Sequence, residues 1–310
     1  MAETESDRKK KLRWRLVGSA AAMVAIAAVS LGAYFLDEQR RQEQVEDELG
    51  MLSAEAESLE YDEEMDAALE ARTRAIELMP SNAWSYVYRG GTYMLFGQYD
   101  AALRDFDKAL ELRPDFAWAH SRRGNTYRLS GRYDEALRDF TKAIELEPDL
   151  AEAYHNRGTL YVENLNLYDE ALRDFTKAIE LDSDFVSADV VSAYVMRGNT
   201  YKILKRSQEA LRDYNKALEM EPDSAEAYGA RGAFYAENLN LYDEALRDLD
   251  KALELNWNLV SAYVARGNTY KILERYQEAL QDYERAWWSG PTNESLSKSV
   301  AEICGKIDCE

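Results

Sequence analysis

The sequence predicts an all-α protein made of repeated helix pairs, and three observations carry that expectation. In the stretch Ala117–Leu150, AWAHSRRGNTYRLSGRYDEALRDFTKAIELEPDL, Gly124 and Tyr127 lie three apart, and Ala136, Phe140 and Ala143 follow at spacings of four and three. Spacings of three and four gather residues on one helix face. The stretch breaks at Ser130-Gly131 and stops at Pro148, so it reads as two amphipathic helices. The same landmarks then recur: Arg-Gly at 89–90, 123–124, 157–158, 197–198, 231–232 and 266–267, each with a Tyr three residues after its Gly (Tyr93, Tyr127, Tyr161, Tyr201, Tyr235, Tyr270). Each is followed by two alanines seven apart, among them Ala102 and Ala109, Ala171 and Ala178, and Ala279 and Ala286. Neither helix can bury its face alone, so the unit needs stacked copies of itself.

These residues make the chain resemble the tetratricopeptide repeat family, whose period is 34 residues, over about Ala83 to Pro291. The resemblance implies an all-α superhelical solenoid of antiparallel helix pairs with a concave inner groove. It also implies a scaffold that binds partner proteins or peptides in that groove.

From the N-terminus, residues 1–15 hold Arg8, Lys9, Lys10, Lys11, Arg13 and Arg15 against Glu3, Glu5 and Asp7, within a chain of net charge −20. So acidic a chain lacks the basic face a nucleic-acid partner requires. Leu16 to Leu36, LVGSAAAMVAIAAVSLGAYFL, is free of charge. At ~1.5 Å per residue a helix of this length spans a hydrocarbon core of ~30 Å. It reads as a transmembrane anchor. The alternative is a signal peptide, with Ala28-Val29-Ser30 as a small-residue cleavage site. The basic cluster ahead of it leaves the N-terminus cytoplasmic and the repeats on the periplasmic or extracellular side. A cytosol-facing receptor on an organelle membrane is the other topology, and there the cysteines stay reduced.

Residues 37–82 read as an acidic helical stalk. Leu52, Ala56 and Leu59 precede Ala68, Ala75 and Pro80 at the repeat spacings, so Leu49–Asn82 reads as a degenerate first repeat that caps the stack. Six repeats occupy 83–292. The segment ENLNLYDEALRD occurs at Glu163–Asp174 and again at Glu237–Asp248, each with one extra residue between its helices. VSADVVSA near Val186–Val190 looks like a stutter that prolongs a helix by over one turn. Residues 293–310 form an amphipathic capping helix and a tail with Cys304 and Cys309, a possible disulfide in an oxidising compartment, with free thiols as the alternative.

The residue before each repeat Gly is Arg, and an Asp follows it by sixteen residues (Arg89 and Asp105, Arg123 and Asp139, Arg197 and Asp213, Arg266 and Asp282) or, in the two copies with the extra residue, by seventeen (Arg157 and Asp174, Arg231 and Asp248). A guanidinium at a helix seam needs a carboxylate, because a lone charge there is costly to desolvate. These pairs are expected to be ion pairs within a repeat or between neighbours. Catalytic chemistry is sparse. The two histidines, His120 and His155, lie thirty-five apart, and no phosphate loop or nucleophile motif appears. No cofactor, metal, small-molecule substrate or enzymatic activity is expected.

The resemblance further implies which residues form the groove: the second, fifth, sixth, ninth and twelfth positions of each first helix. These are Trp84, Val87, Tyr88, Gly91 and Met94; then Trp118, Ser121, Arg122, Asn125 and Arg128; then Glu152, His155, Asn156, Thr159 and Val162. Later repeats offer Asn199 with Lys202, Asn268 with Lys271, and a smooth wall at Gly229, Ala230, Ala233 and Ala236. The partner-binding candidates are therefore Trp84, Tyr88, Trp118, Ser121, Arg122, Asn125, Arg128, His155 and Asn156: aromatic anchors beside donors that fix an extended segment. The family's carboxylate clamp needs Lys at the fifth position of its first repeat, where Val87 stands.

Overall fold

The computed structural model describes residues 44–60, 64–181, 188–289 and 294–307, all of them helical or in the short turns between helices. The basic tail, the apolar run 16–36 and Cys309 lie outside the described residues. Among the described residues no helix is long and apolar enough to cross a membrane. The chain divides into two compact units at Gln98–Tyr99.

In the N-terminal unit, α1 (44–60) pairs with α2 (Met65–Leu78), and α3 (Ala83–Leu95) packs on α2. Leu52, Ala56 and Ala71 form the core of the first pair, backed by Ala75 and Leu78. Arg72 is buried beside them. Its Nε and Nη2 donate to Glu60 Oε1 at 3.3 Å, and its Nη1 donates to Ser53 Oγ at 3.1 Å. The Thr92 hydroxyl donates to the same Glu60 carboxylate, which ties α3 to α1. Asn82 caps α3 by accepting from the Trp84 backbone N–H, one of the donors a helix start leaves unpaired.

The C-terminal unit runs from α4 (Tyr99–Leu112) through α5 (Ala117–Leu129), α6 (Tyr133–Leu146), α7 (Ala151–Leu160), α8 (Tyr168–Leu181), α9 (Ala188–Ile203), α10 (Ser207–Met220), α11 (Ala225–Phe234), α12 (Tyr242–Leu255), α13 (Val260–Ile272) and α14 (Tyr276–Ser289) to α15 (Glu294–Ile307). Each helix packs on the next, and the first helices of successive repeats (α5, α7, α9, α11, α13) also pack on one another. The second helices are not joined to that extent, so the first-helix layer is the tighter side of the stack.

The repeat landmarks are the core. Ala102, Ala136, Ala171, Ala210, Ala245 and Ala279 are fully buried, as are Phe140, Phe175, Tyr214, Leu249 and Tyr283. The repeat glycines lie directly against those large side chains. A β-carbon on Gly158 would sit 2.8 Å from Phe175 Cε1, and one on Gly267 would sit 2.7 Å from Tyr283 Cε1. The glycine is what lets the ring of the second helix reach the backbone of the first.

The extra residue in each ENLNLY copy is taken up inside the first helix, which widens into a π turn at Tyr161–Leu165 and at Tyr235–Leu239. Each π turn ends on an asparagine in the left-handed region, Asn166 at φ 56° and Asn240 at φ 54°. Such single-turn widenings absorb an insertion without ending the helix. The stutter expected near Val186–Val190 borders residues 182–187, which lie outside the described residues; α9 is described from Ala188 to Ile203. Cys304 on α15 is disulfide-bonded.

Candidate functional site

Two side-chain systems run along the repeats. The first is the arginine seam. Arg157 Nε and Nη2 donate to Asp174 Oδ2 and Oδ1 at 2.7 and 2.9 Å, a two-pronged pair between the helices of one repeat. Its third arm, Nη1, donates to Thr141 Oγ1 of the preceding repeat at 3.4 Å. The pattern repeats at Arg123 with Asp139 and Asp107, Arg197 with Asp213 and Thr176, Arg231 with Asp248 and Asn215, and Arg266 with Asp282 and Asp250. The N-terminal unit contributes Arg89, whose Nη1 donates to Thr73 Oγ1 at 3.2 Å.

Arg123, Arg157, Arg197, Arg231 and Arg266 each therefore join the halves of their own repeat and reach back to the one before. The planar five-donor fork is what makes three simultaneous bonds to two partners possible, and lysine has no equivalent. Burial alone would lower the Arg123 pKa, but hydrogen bonds and charge from Asp139 and Asp107 more than offset it and hold it above the ordinary value. Burial likewise pushes the Asp139 carboxyl up, and donors from Arg123 and His120 outweigh it, so its pKa is lowered. His120 completes that cluster, with Nδ1 3.1 Å from Asp139 Oδ1 and Nε2 3.3 Å from the Pro114 carbonyl. It is a seam residue.

The second system lies on the first helices. Arg128 Nη1 donates to Glu163 Oε2 of the next repeat at 3.0 Å, and its other arms donate to Asn125 Oδ1. Lys202 pairs with Glu237 at 2.9 Å and Lys271 with Glu302 at 2.8 Å. Arg122 lies over the Trp118 ring at 4.3 Å, and its Nε sits 3.3 Å from Glu152 Oε1, near but out of hydrogen-bond alignment. Asn156 donates to the same Glu152 carboxylate.

Sequence reasoning named the cations of this wall and missed most of their partners. A constant spacing of 35 from Arg128 to Glu163 and from Lys202 to Glu237 was the available signal.

The structure sorts the candidate residues. In the N-terminal unit, Trp84 and Tyr88 are exposed and stacked, with ring centroids 5.7 Å apart. They border a recess of about 90 Å³ whose floor includes Arg72, Leu52 and Ser85, and Arg72 lies 5.2 Å from the Tyr88 ring. In the C-terminal unit, Trp118, Arg122, Asn125, Arg128 and Asn156 are half-buried along successive first helices. His155, also half-buried, packs its ring against Phe175 at 5.8 Å.

Ser121 is fully buried and its Oγ has no hydrogen-bond partner. Val87, Val195 and Gly229 at the same repeat position are buried too. The reason is visible at Gly229, where an added β-carbon would meet Leu259 at 3.3 Å and Ala262 at 3.9 Å. At Gly229 the next repeat closes over this position. The smooth wall expected at Gly229 is thus a packing surface.

Stacked two-helix units joined by a periodic polar seam define a helical-repeat scaffold. Sequence profiles described as "TPR repeat" match residues 90–128 and 124–164. Others described as "Tetratricopeptide repeat" match 151–185, 191–224, 213–247 and 260–286. The matches together cover more than half of the chain, which belongs to the tetratricopeptide repeat family. No curated protein matches it in sequence.

Many solved structures share the fold. A tetratricopeptide repeat protein from Parabacteroides merdae superposes with a TM-score of 0.64 at 20% identity, over 83% of this chain and 99% of that one. The hetero-tetramer Cut9–Hcn1 of the APC/C gives 0.67 at 18%, over 80% and 48%. PilW, described as a widely conserved type IV pilus biogenesis factor, gives 0.60 at 20%, over 70% and 97%.

Proposed function

We propose that this protein is a membrane-anchored interaction scaffold whose first-helix wall takes an extended segment of a partner protein. The observation that carries the reading is the cluster on α5 and α7. There Trp118 stacks under Arg122, Arg128 lies a turn and a half further along, and both arginines face carboxylates: Arg122 faces Glu152, which also accepts from Asn156, and Arg128 faces Glu163. An indole supplies apolar area at low entropy cost, and the arginines supply donors for the partner's backbone or an acidic side chain. Because the donors already face internal carboxylates, an acidic partner group competes with Glu152 and Glu163, and the wall selects against partners that cannot replace those contacts.

The apolar run 16–36 supports the anchor and the basic cluster ahead of it supports the orientation, with the repeats on the extracytoplasmic side. Binding is tested with the double change Trp118→Ala and Arg122→Ala, expected to abolish capture of the native partner in crosslinking from intact membranes while helicity and melting stay intact. Undiminished capture places the partner elsewhere, and a collapsed melting transition makes these residues core.

A further inference from the structure

The repeats serve as one another's controls, and the last one departs from the rest on a single face. In each second helix from α4 to α12, that face carries an acceptor for the next repeat's arginine, then Lys, then Glu three residues later. The Lys–Glu pairs are Lys108–Glu111, Lys142–Glu145, Lys177–Glu180, Lys216–Glu219 and Lys251–Glu254. On α14 the same positions hold Glu284, Arg285 and Trp288. A tryptophan replaces the glutamate, and it is 85% exposed. The preceding turn departs in step. Where the turns before α5, α7 and α11 read Pro-Asp, the turn before α13 reads Trp257-Asn258, and Trp257 is 73% exposed. The two indoles, Glu284, Arg285, Asn258 and Gln281 line one surface recess of about 780 Å³.

Glu284 occupies the register in which Asp107, Thr141, Thr176, Asn215 and Asp250 each accept an arginine arm from the following repeat, at 2.6 to 3.4 Å. Sixteen residues further on, on α15, stands Val300, an apolar side chain with no donor, packed against the core of the last repeat. Among the described residues Glu284 makes no ion pair. An exposed carboxylate in an arginine slot, in one recess with two exposed indoles, holds what a guanidinium needs: a charged acceptor and a π surface. Two exposed tryptophans in place of a proline and a glutamate also remove surface hydration, which is not what solubility would select. The chain's net charge of −20 favours a cationic visitor.

We infer that the recess on α14 is a second docking site, independent of the first-helix wall, that takes an arginine side chain from a partner protein. The partner's guanidinium continues the seam that the chain's own arginines end at Arg266. It meets Glu284 and stacks on Trp288 or Trp257, while Arg285 discourages approach by a second cation and orients an acidic neighbour on the same segment.

The test uses the full chain labelled with 5-fluorotryptophan, whose indole signals are assigned by single Trp→Phe changes, and the probe peptide Ac-Ala-Arg-Ala-NH2 at physiological salt. The Trp257 and Trp288 signals should shift saturably while those of Trp84 and Trp118 stay put, which separates this site from the wall. The citrulline counterpart, equal in shape without the charge, should bind at least tenfold more weakly. Glu284→Gln and Trp288→Ala, both exposed changes on a helix held by its other face, should each weaken binding at least fivefold. Equal shifts with citrulline, indifference to Glu284→Gln, or spread of the shifts over all the indoles would overturn the assignment. Concentration-dependent broadening of the Trp257 and Trp288 signals without peptide would also overturn it, assigning the face to a second copy of this chain.

Discussion

At Arg157 three hydrogen bonds to two partners converge on one side chain, and the consequence of removing it depends on what is left behind. Arg157→Leu strands the Asp174 carboxylate, which is 6% exposed, and should destabilise the protein by about 3 kcal/mol, the low end for a broken buried pair. The double change with Asp174→Leu should recover most of that loss, because two apolar side chains carry no desolvation penalty. Urea denaturation of the two variants decides it, and equal midpoints for single and double changes would count against the seam as an ionic device.

Asp139 gives the seam a pH signature. Its folded pKa lies below its ordinary value, so its contribution is fully present above the ordinary carboxylate range and is lost as pH falls through the depressed folded value. Asp139→Asn should therefore be less stable than wild type at neutral pH and converge with it below pH ~4.

Glycine separates packing from propensity. Gly158→Ala puts a methyl group against Phe175 and should cost about 1–3 kcal/mol. Gly91→Ala, with nothing within 4 Å of the added carbon, should be neutral or slightly stabilising, because alanine is the better helix former.

At the scale of the element, the turn from first to second helix requires one residue in the left-handed region. Gly97 and Gly131 supply it without strain, while Lys205 at φ 59° and Glu274 at φ 57° adopt it against their side chains. Lys205→Gly and Glu274→Gly should each raise stability by about 1 kcal/mol, read as a higher melting temperature. The gain should be smaller at Asn166 and Asn240, because asparagine tolerates this region best among residues with a side chain. The π turns ahead of those two asparagines show that the helix, not the loop, accommodates the added residue. The result is that Arg157 and Arg231 still reach Asp174 and Asp248 at 2.7 Å.

At the scale of the molecule, stacked repeats contact chiefly their neighbours, so stability is a sum over repeats and the interfaces between them. The arginine seam is one such interface term. The wall is another, since Arg128 and Lys202 each cross to the following helix pair and Lys271 crosses to α15. If the repeats lie outside the cytoplasm, protease added to intact cells or spheroplasts should degrade them and spare residues 1–15. Repeats that survive until the membrane is opened would place them on the cytoplasmic side. Glu163→Gln tests the wall from the opposite direction. It frees Arg128 and should strengthen capture of an acidic partner segment several-fold, whereas a weaker capture would make Glu163 itself the acceptor.

Much of this was legible in the chain alone. Helix pairs, their breaks at Ser130-Gly131 and Pro148, the buried alanines and the Arg–Asp pairs from Arg123 onward all follow from spacings of three, four and sixteen or seventeen, because a helix converts sequence distance directly into a shared face. The repeat copies also make each departure readable, Trp257 and Trp288 included. What only the tertiary structure decided is where residues of different repeats meet. Periodicity gives the direction of a side chain around its own helix, and the rotation between neighbouring repeats determines which of those directions is closed. That rotation buries Ser121, Val195 and Gly229 under the following repeat, carries the third arm of each seam arginine back to the preceding one, and sets Glu163 opposite Arg128. These contacts depend on packing between units, which no single repeat encodes.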